Sequence, residues 1–269
     1  MLFDTSPVAL MREISASIGQ CQLTHLRREP IDPALAEAQH AAYARLLGRL
    51  GHRVTTLPPQ DALPDAVFVE DTALVLDEVA LICRPGTPAR RAETDTVAEV
   101  LRGYRPITFV VHPGCLEGGD VLRMGRHIYV GASQRTNPQG IAQLREATGL
   151  LGYEMHTVQV SACLHLKSAV TPVSDDTLLI NPEWVDPAAF AAYQLIHVAA
   201  EEAFAANALL TQAGVIYPAA YPRTLERLFK HGINVYPVDM SELAKAEGGV
   251  TCCSLLISPP QNGGASHSR

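Results

Sequence analysis

Five polar residues recur along the chain at nearly even spacing, each at the first polar position of a predicted β-hairpin. They are Asp71, Glu117, His165, Asn207 and Cys252, separated by 46, 48, 42 and 45 residues. A thiol, a histidine and an acid in one cleft suit nucleophilic catalysis: the thiolate attacks, the histidine moves protons, and the acid holds the histidine or the substrate. An internal repeat of this length predicts about five stacked units of hairpin, helix and strand. Units arranged in a ring would bring the five positions to one central site.

Cys252 has the local setting of a catalytic thiol. It follows Gly248-Gly249 and leads into the hydrophobic run Leu255 to Ile257, so it lies where a loop becomes a strand and the backbone can hold a thiol over a pocket. Taken alone, Cys252 or Cys253 is more often a small core residue, because free cysteines are usually buried. The histidine and the carboxylates at matching junctions favour catalysis.

Several carboxylates at predicted strand and loop positions would make the pocket strongly negative. A negative pocket raises the pKa of a thiol, which opposes formation of the thiolate; a bound cationic substrate would reverse this effect. We therefore expect a guanidinium or amidinium substrate, since carboxylates recognise such planar cations by forked contacts. The carboxylates are those of Asp65, Glu70, Asp71, Asp120 and Glu247.

Two further patterns concern charged pairs. Glu70 and Asp71 are adjacent in a predicted strand and should point to opposite faces, so one of them should point inward and need a cationic partner. Arg90 and Arg91 fall in the first turn of a helix predicted to begin at Thr87-Pro88, where they oppose the helix dipole. At least one of them could bind a carboxylate, although two surface arginines are the plainer alternative. Arg90 and Arg135 could hold a substrate's α-carboxylate.

The elements that position these residues follow from capping and periodicity. Asp32-Pro33 predicts an amphipathic helix that ends at Gly51, after an opening strand over residues 8–18. Residues 19–29 form a predicted loop in which Leu23 is favoured as a core residue over a ligand contact. The repeated hairpins disfavour a doubly wound parallel sheet. We expect one catalytic domain over residues 1–257 and a disordered tail over 258–269.

Composition restricts the partners and the compartment. The net charge of −7 and the lack of a Lys/Arg block make nucleic acid or an anionic membrane an unlikely partner. No secretory signal or uninterrupted apolar run of membrane-spanning length is expected. The six cysteines are scattered without a CxxC pair, which is typical of a protein in the reducing cytoplasm.

From about Cys21 to Ile257 the chain resembles the dimethylarginine dimethylaminohydrolases, members of the guanidino-modifying pentein superfamily. The resemblance implies an α/β fold, a five-bladed propeller of ββαβ repeats with pseudo-fivefold symmetry. It also implies hydrolysis of asymmetric dimethyl-L-arginine and monomethyl-L-arginine to citrulline through a covalent thiouronium, by a monomer or homodimer without metal or cofactor. It is carried by residues 63–71, 84–91, 116–122, 134–137, 165–168 and 243–257.

The same resemblance implies roles for individual residues. Cys252 would be the nucleophile, His165 the general acid and base, and Glu117 the residue that orients the histidine and contacts the guanidinium. Asp71 would pair with guanidinium nitrogens, and Arg90 and Arg135 would grip the α-carboxylate. The remaining substrate-binding residues would be Leu23, Asp65, Phe68, Glu70, Ala246 and Glu247.

Three alternatives stay open. Arginine deiminases of the superfamily carry an acid two residues after the histidine, whereas this chain has Lys167, which favours a methylated nitrogen in the pocket. The fold could also serve as a binding module without chemistry, against which the intact Cys252, His165 and Glu117 argue. Cys163 near His165 could bind zinc adventitiously with Cys252, but the closed four-ligand set of a structural zinc site is missing.

Overall fold

Five small β-sheets are arranged along residues 6–259, the part of the chain that the computed structural model describes. Each sheet has one antiparallel and one parallel pair of strands that share a central strand. This is the five-bladed α/β propeller that the repeat predicts. The strands of the five sheets are β1 (Val8–Arg12), β2 (Arg53–Leu57) and β15 (Leu255–Ile257); β3 (Ala73–Val75), β4 (Ala80–Ile82) and β5 (Ile107–Phe109); β6 (Val121–Met124), β7 (His127–Ala132) and β8 (Glu154–Gln159); β9 (Val170–Pro172), β10 (Thr177–Ile180) and β11 (Gln194–His197); and β12 (Leu209–Thr211), β13 (Gly214–Pro218) and β14 (Val235–Val238).

The two ends of the described chain share one sheet. The first strand, β1, pairs antiparallel with the last, β15, with Val8 opposite Ile257. It also pairs in parallel with β2, so that it forms the centre of the sheet. The strand after Cys252 is therefore completed by residues from the beginning of the chain. Because β1 is buried throughout, the closure is made by apolar contacts as well as by backbone hydrogen bonds.

Helices cover the sheets, and three of the six α-helices in residues 6–259 begin at proline. The Asp32 carboxylate accepts hydrogen bonds from the N–H groups of Ala34 and Leu35, which confirms the predicted cap of the first helix. The α-helices are α1 (Pro33–Arg49), α2 (Thr94–Leu101), α3 (Pro138–Gly149), α4 (Leu166–Ala169), α5 (Pro222–Lys230) and α6 (Ser241–Ala244). Short 3₁₀ helices cover Ile18–Gln20, Val69–Thr72, Pro88–Glu93, Gly118–Asp120 and Pro187–Phe190. The last of these takes the place of an α-helix in its repeat.

The sequence pattern misplaces several element boundaries. The opening strand ends at Arg12 rather than at residue 18, and the first strand of the predicted hairpin over residues 65–86 begins only at Ala73. Glu70 and Asp71 therefore lie in a 3₁₀ helix, and the prediction that one points inward and the other outward is wrong. Both are buried. The physical reason is that strand alternation holds only for extended backbone, and this segment coils before it extends.

The first helix is fastened to the segment that carries the cysteines. Tyr43 of α1 is fully buried, and its hydroxyl donates to the carbonyl of Val250 at 2.7 Å. The Tyr43 hydroxyl oxygen also lies 2.7 Å from the Ser254 hydroxyl oxygen. These bonds lie on both sides of Cys252 in the sequence. Packing of the helix thus limits the movement of the loop that presents the thiol.

No helix within residues 6–259 is long and apolar enough to cross a membrane. Of the predicted disordered tail, residues 260–269 lie outside the described residues. Ser258 accepts a hydrogen bond from the Arg105 guanidinium at 2.7 Å, so the tail's first residue is anchored.

Candidate active site

The five recurring polar residues all lie just ahead of the first antiparallel strand of a sheet. Asp71 precedes β3, Glu117 precedes β6, His165 precedes β9, Asn207 precedes β12 and Cys252 precedes β15. The equivalent position in every repeat therefore faces the same region of the ring. Hydrogen bonds join Glu117 to His165, as expected for side chains that converge from different blades.

His165 is held in a buried cluster of acids. Its Nε2 lies 2.7 Å from Glu117 Oε2 and 3.8 Å from Asp71 Oδ1. Glu117 is completely buried, and its second oxygen accepts the N–H of Gly86 at 3.0 Å. The Gly119 N–H donates to Asp71 Oδ1 at 3.2 Å. A β-carbon at Gly119 would lie 2.7 Å from His165 Nδ1 and 2.8 Å from Asp71 Oδ1, so only glycine allows the histidine and the acid to pack this closely.

The acids keep the histidine protonated. Burial by itself would lower the pKa of His165, but Asp71, the hydrogen bond to Glu117 and the charge of Asp120 outweigh it and raise the pKa to about 9. Burial likewise pushes the pKa of Asp71 up, whereas His165 and Arg90 bring it below its ordinary value. The resting arrangement at neutral pH is an imidazolium between carboxylates. An imidazolium can give a proton to a departing amine.

Cys252 carries a thiol rather than a thiolate in the free protein. Burial is the largest cause that raises its pKa to about 12, and the charges of Glu70 and Asp71 add to it. The Gly249 N–H donates to the sulfur at 3.2 Å and acts in the opposite direction. The negative charge of the pocket raises this pKa, as expected from the sequence, but desolvation contributes more than charge. Cys253 is fully buried and lies in the hydrophobic core.

Asn207 shapes the cysteine loop. Its amide oxygen accepts the Thr251 N–H at 3.1 Å, and its amide nitrogen donates to the Thr251 hydroxyl at 2.9 Å. A β-carbon on Gly249 would lie 2.3 Å from the Asn207 oxygen, so this glycine is required for the close approach. The fourth recurring position thus holds the backbone beside the Cys252 thiol in place.

A narrow cavity joins the thiol to two arginines. Most of the predicted site residues line it, whereas Leu23, Glu70 and Glu117 are outside its lining. Glu117 still reaches it through His165, and Leu23 packs on the apolar cluster that contains Phe68 and Ala246. The residues that line the cavity are Gln22, Asp65, Phe68, Asp71, Arg90, Arg135, Leu164, His165, Ala246, Glu247 and Cys252.

The two arginines differ in how far protein groups already engage them. Arg90 is buried and donates to Asp71 at 2.8 Å and to both oxygens of Glu93 at 2.9 and 3.1 Å. The sequence pattern gave no sign that Glu93 is buried; burial raises the pKa of its carboxyl to about 7 despite the adjacent guanidinium. Arg135 donates to the hydroxyls of Thr87 and Thr24 at 2.8 and 3.0 Å. Arg90 therefore positions Asp71. Arg135 donates its hydrogen bonds to neutral hydroxyls that an anion can outcompete, and its ion pair with Glu117 is longer, at 3.6 Å.

Two carboxylates hold the loop over the cavity. Glu247 has a left-handed backbone, with φ of 60°. Its side chain accepts the N–H groups of Thr24, His25 and Leu26 at distances of 2.6 to 3.1 Å. Both oxygens of Asp65 accept the Gln22 N–H at 3.1 Å. The loop predicted over residues 19–29 is thus held in place by side chains from distant parts of the chain.

Comparison with known proteins decides the family. A family profile described as N,N dimethylarginine dimethylhydrolase, eukaryotic, matches residues 9–257. The chain belongs to the dimethylarginine dimethylaminohydrolase family. It is 42% identical over 254 residues to the N(G),N(G)-dimethylarginine dimethylaminohydrolase of Streptomyces coelicolor, covering 94% of this chain and 97% of that one. It is 38% identical to the enzyme of the same name from Pseudomonas aeruginosa, covering 83% of this chain and 89% of the relative.

A solved member of the family has the same fold. The Pseudomonas aeruginosa dimethylarginine dimethylaminohydrolase, crystallised as a Cys-to-Ser variant complexed with citrulline, superposes with a TM-score of 0.89 at 35% identity. The match covers 94% of this chain and all of that one. The family resemblance stated from sequence motifs is confirmed, as is the propeller.

Glu70 and Lys167 form an ion pair outside the lining of the narrow cavity. Lys167 Nζ lies 2.6 Å from Glu70 Oε1, and the Thr251 hydroxyl donates to Glu70 Oε2 at 2.6 Å. Both residues line a different cavity, on the side of Thr251 and Ser254. Lys167 is thus outside the lining of the narrow cavity, and its ammonium group is engaged by Glu70.

The buried donors are poorly suited to a metal. Asp71, Glu117 and His165 offer ligand atoms within 4.8 Å of one another. The Arg90 guanidinium, however, supplies a fixed positive charge 2.8 Å from Asp71, and His165 points its Nε2 at Glu117 from 2.7 Å. Within residues 6–259, Cys163 belongs to no cluster of potential metal ligands. Its thiol donates instead to the His165 carbonyl at 3.4 Å.

Proposed function

We propose that this protein hydrolyses asymmetric dimethyl-L-arginine and monomethyl-L-arginine to L-citrulline and dimethylamine or methylamine. Family membership supports the reaction class. The observation that carries the proposal is the cavity itself, which is lined by Cys252, a protonated His165, the acid Asp71 and the guanidinium of Arg135. A cationic guanidinium suits the acids around the thiol, and a carboxylate suits the arginine.

The substrate would lie with its guanidinium between Asp71 and Cys252. One oxygen of Asp71 bonds to Arg90 and the other to Gly119, which leaves lone pairs for guanidinium N–H groups. Glu117 would orient His165 and support the same cation. The α-carboxylate would bind Arg135, with Arg90 contributing charge. The amino-acid end would be completed by Leu23, Asp65, Phe68, Ala246 and Glu247, with Glu70 acting through Thr251 from outside the cavity.

In the first half-reaction the Cys252 thiol loses its proton to solvent, and its sulfur bonds to the guanidinium carbon. The bound cation lowers the pKa of the thiol, because it offsets the charges of Glu70 and Asp71 that raise it. His165 then gives its proton to the substituted nitrogen, and the carbon–nitrogen bond breaks. Dimethylamine leaves, and a thiouronium joins the substrate to Cys252.

The second half-reaction uses the histidine as a base. Neutral His165 takes a proton from water while the oxygen attacks the thiouronium carbon. The carbon–sulfur bond breaks, the electron pair returns to Cys252, and the product loses a proton to become citrulline while Cys252 takes up a proton to become the thiol again. The sum is one dimethylarginine and one water converted to one citrulline and one dimethylamine.

Preference for methylated nitrogens is supported by the position of Lys167. An acid placed two residues after the histidine would bind two unsubstituted nitrogens, but Lys167 supplies no acid and is held by Glu70.

We also infer a single catalytic domain over residues 1–257. A cytoplasmic location is supported by the free state of the six cysteines. Light scattering would distinguish monomer from homodimer.

The test is product formation from three substrates. Purified protein is incubated separately with asymmetric dimethylarginine, monomethylarginine and arginine, and citrulline and amine are measured. Citrulline from the methylated substrates only, lost in Cys252→Ala and retained in Cys253→Ala, is expected. Citrulline mainly from arginine would instead indicate a deiminase, and no product from any of them would indicate another guanidine or a binding role.

A further inference from the structure

A second group of metal-ligating side chains lies on the third sheet, apart from the cavity. His127 is the first residue of β7, and Glu154 and His156 lie on β8. In the parallel register His127 is opposite Glu154, and Tyr129 is opposite His156. Residues two apart in a strand share a face, so the three side chains project from the same side of the sheet.

The distances between the ligand atoms match those of a zinc site. His127 Nδ1 lies 3.2 Å from His156 Nε2. The two oxygens of Glu154 lie 3.6 Å from these same nitrogens, one each. Bonds of about 2.0 to 2.1 Å in a tetrahedron place ligand atoms roughly 3.3 Å apart. The nitrogen–nitrogen distance and the two nitrogen–oxygen distances, which end on different oxygens of Glu154, are therefore close to the values that one bound ion would impose.

Packing holds the three side chains in place and leaves them open to solvent. The His156 ring stacks on Tyr129, with ring centroids 4.8 Å apart, and Tyr129 packs against buried Phe190. The side chains of His127, His156 and Glu154 are 46%, 36% and 68% exposed, so an ion can enter from solvent. Ligands on two neighbouring strands that are already directed at one point lose little entropy on binding.

We propose that His127, Glu154 and His156 bind one divalent transition-metal ion of the zinc class. Two imidazoles and one carboxylate favour Zn²⁺ over Mg²⁺ or Ca²⁺, which prefer oxygen ligands. Three protein ligands leave a fourth position for water or an external group. The ion bridges β7 and β8, so it stabilises the outer strand of this sheet and makes the thermal midpoint depend on zinc concentration.

The experiment must separate this site from the cysteine. The full chain carrying Cys252→Ala is titrated with zinc against a chromogenic chelator, since the thiol could bind zinc by itself. One equivalent per chain and a zinc-dependent rise in Tm are expected. His127→Gln and His156→Gln should each weaken the binding by at least about tenfold, because even an outer-shell partner of a ligand is worth 10- to 100-fold in affinity.

His197 provides a matched control, being an exposed strand histidine at the end of β11. His197→Gln, made in the Cys252→Ala protein, should still bind one equivalent of zinc. Without zinc, all variants should have the same Tm as the Cys252→Ala protein. Cobalt in place of zinc should give the visible absorption of a tetrahedral site in the parent and not in His127→Gln. Equal zinc affinity in the parent and in His127→Gln, or loss of binding in His197→Gln, would overturn the proposal.

Discussion

Replacing Glu117 by glutamine should remove the proton that His165 donates at alkaline pH. The two side chains lie 2.7 Å apart, where a unit charge interacts by about 6 kcal/mol at an effective dielectric constant of about 20, taken as an upper bound. Asp71 remains 3.8 Å away and continues to favour the imidazolium. We therefore expect the pKa of His165, raised to about 9 in the parent, to fall by about two units.

The effect on activity should depend on pH. At pH 8 a group with a pKa near 9 is about nine-tenths protonated, whereas after a two-unit fall it is about one-tenth protonated. Turnover of dimethylarginine by Glu117→Gln should then fall at least about tenfold at pH 8 from protonation alone, and the alkaline limb of kcat/KM should move towards pH 7. At pH 6 the histidine is largely protonated in both proteins, so the deficit should be smaller.

The assay combines kcat/KM from pH 6 to 10 with an NMR titration of His165. Asp77→Asn is the matched control, because it also removes a partly buried carboxylate from an arginine pair, but outside the cavity. It should leave the alkaline limb and the pKa of His165 in place. A Glu117→Gln deficit of the same size at pH 6 and pH 9, with the histidine titration unmoved, would refute the assignment of Glu117 as the residue that sets this proton.

Further predictions concern packing, the loop and stability. Gly119→Ala should cost about 1 to 3 kcal/mol in urea unfolding, since its β-carbon would meet the His165 ring, whereas Gly149→Ala meets nothing within 4 Å and should be neutral. Glu247→Ala removes the acceptor for three loop N–H groups, so KM should rise more than kcat falls, and amide exchange of residues 24–26 should accelerate. The raised pKa of His165 contributes roughly 3 kcal/mol to the free energy of unfolding; this contribution is present below pH 6.5 and is lost as pH rises through 9. Unfolding free energies measured across that window should show the loss, and Glu117→Gln should make the loss smaller.

The repeat could be recognised from sequence because each unit ends and begins with local signals. Asp32 is a helix N-cap followed by proline, and its cap is made as predicted; Asn137, also followed by proline, caps α3 in the same way. The near-even spacing of the junction residues follows from the similar length of each blade. Local chemistry of this kind is independent of the rest of the fold, so the propeller could be inferred before any contact was known.

What the sequence could not predict depends on contacts between distant segments. The 3₁₀ helix at Glu70 and Asp71 is stabilised by Lys167 from another blade and by Arg90, which lies further along the same blade, and no local pattern indicates it. The pairing of β1 with β15 closes the ring across the whole described chain. The anchoring of the 22–26 loop by Glu247 is likewise a long-range contact.

The charge balance of the cavity explains why these residues suit a cation. With His165 protonated and Cys252 neutral, the free site holds its thiol in an unreactive form. A neutral amide would bring no charge to change that, and Glu70 and Asp71 would continue to oppose the thiolate. A guanidinium beside Asp71 does change it, because it adds positive charge where burial and the acids raise the pKa of the thiol. Selection for cationic substrates therefore takes place at the step that creates the nucleophile, in addition to the step that binds the ligand.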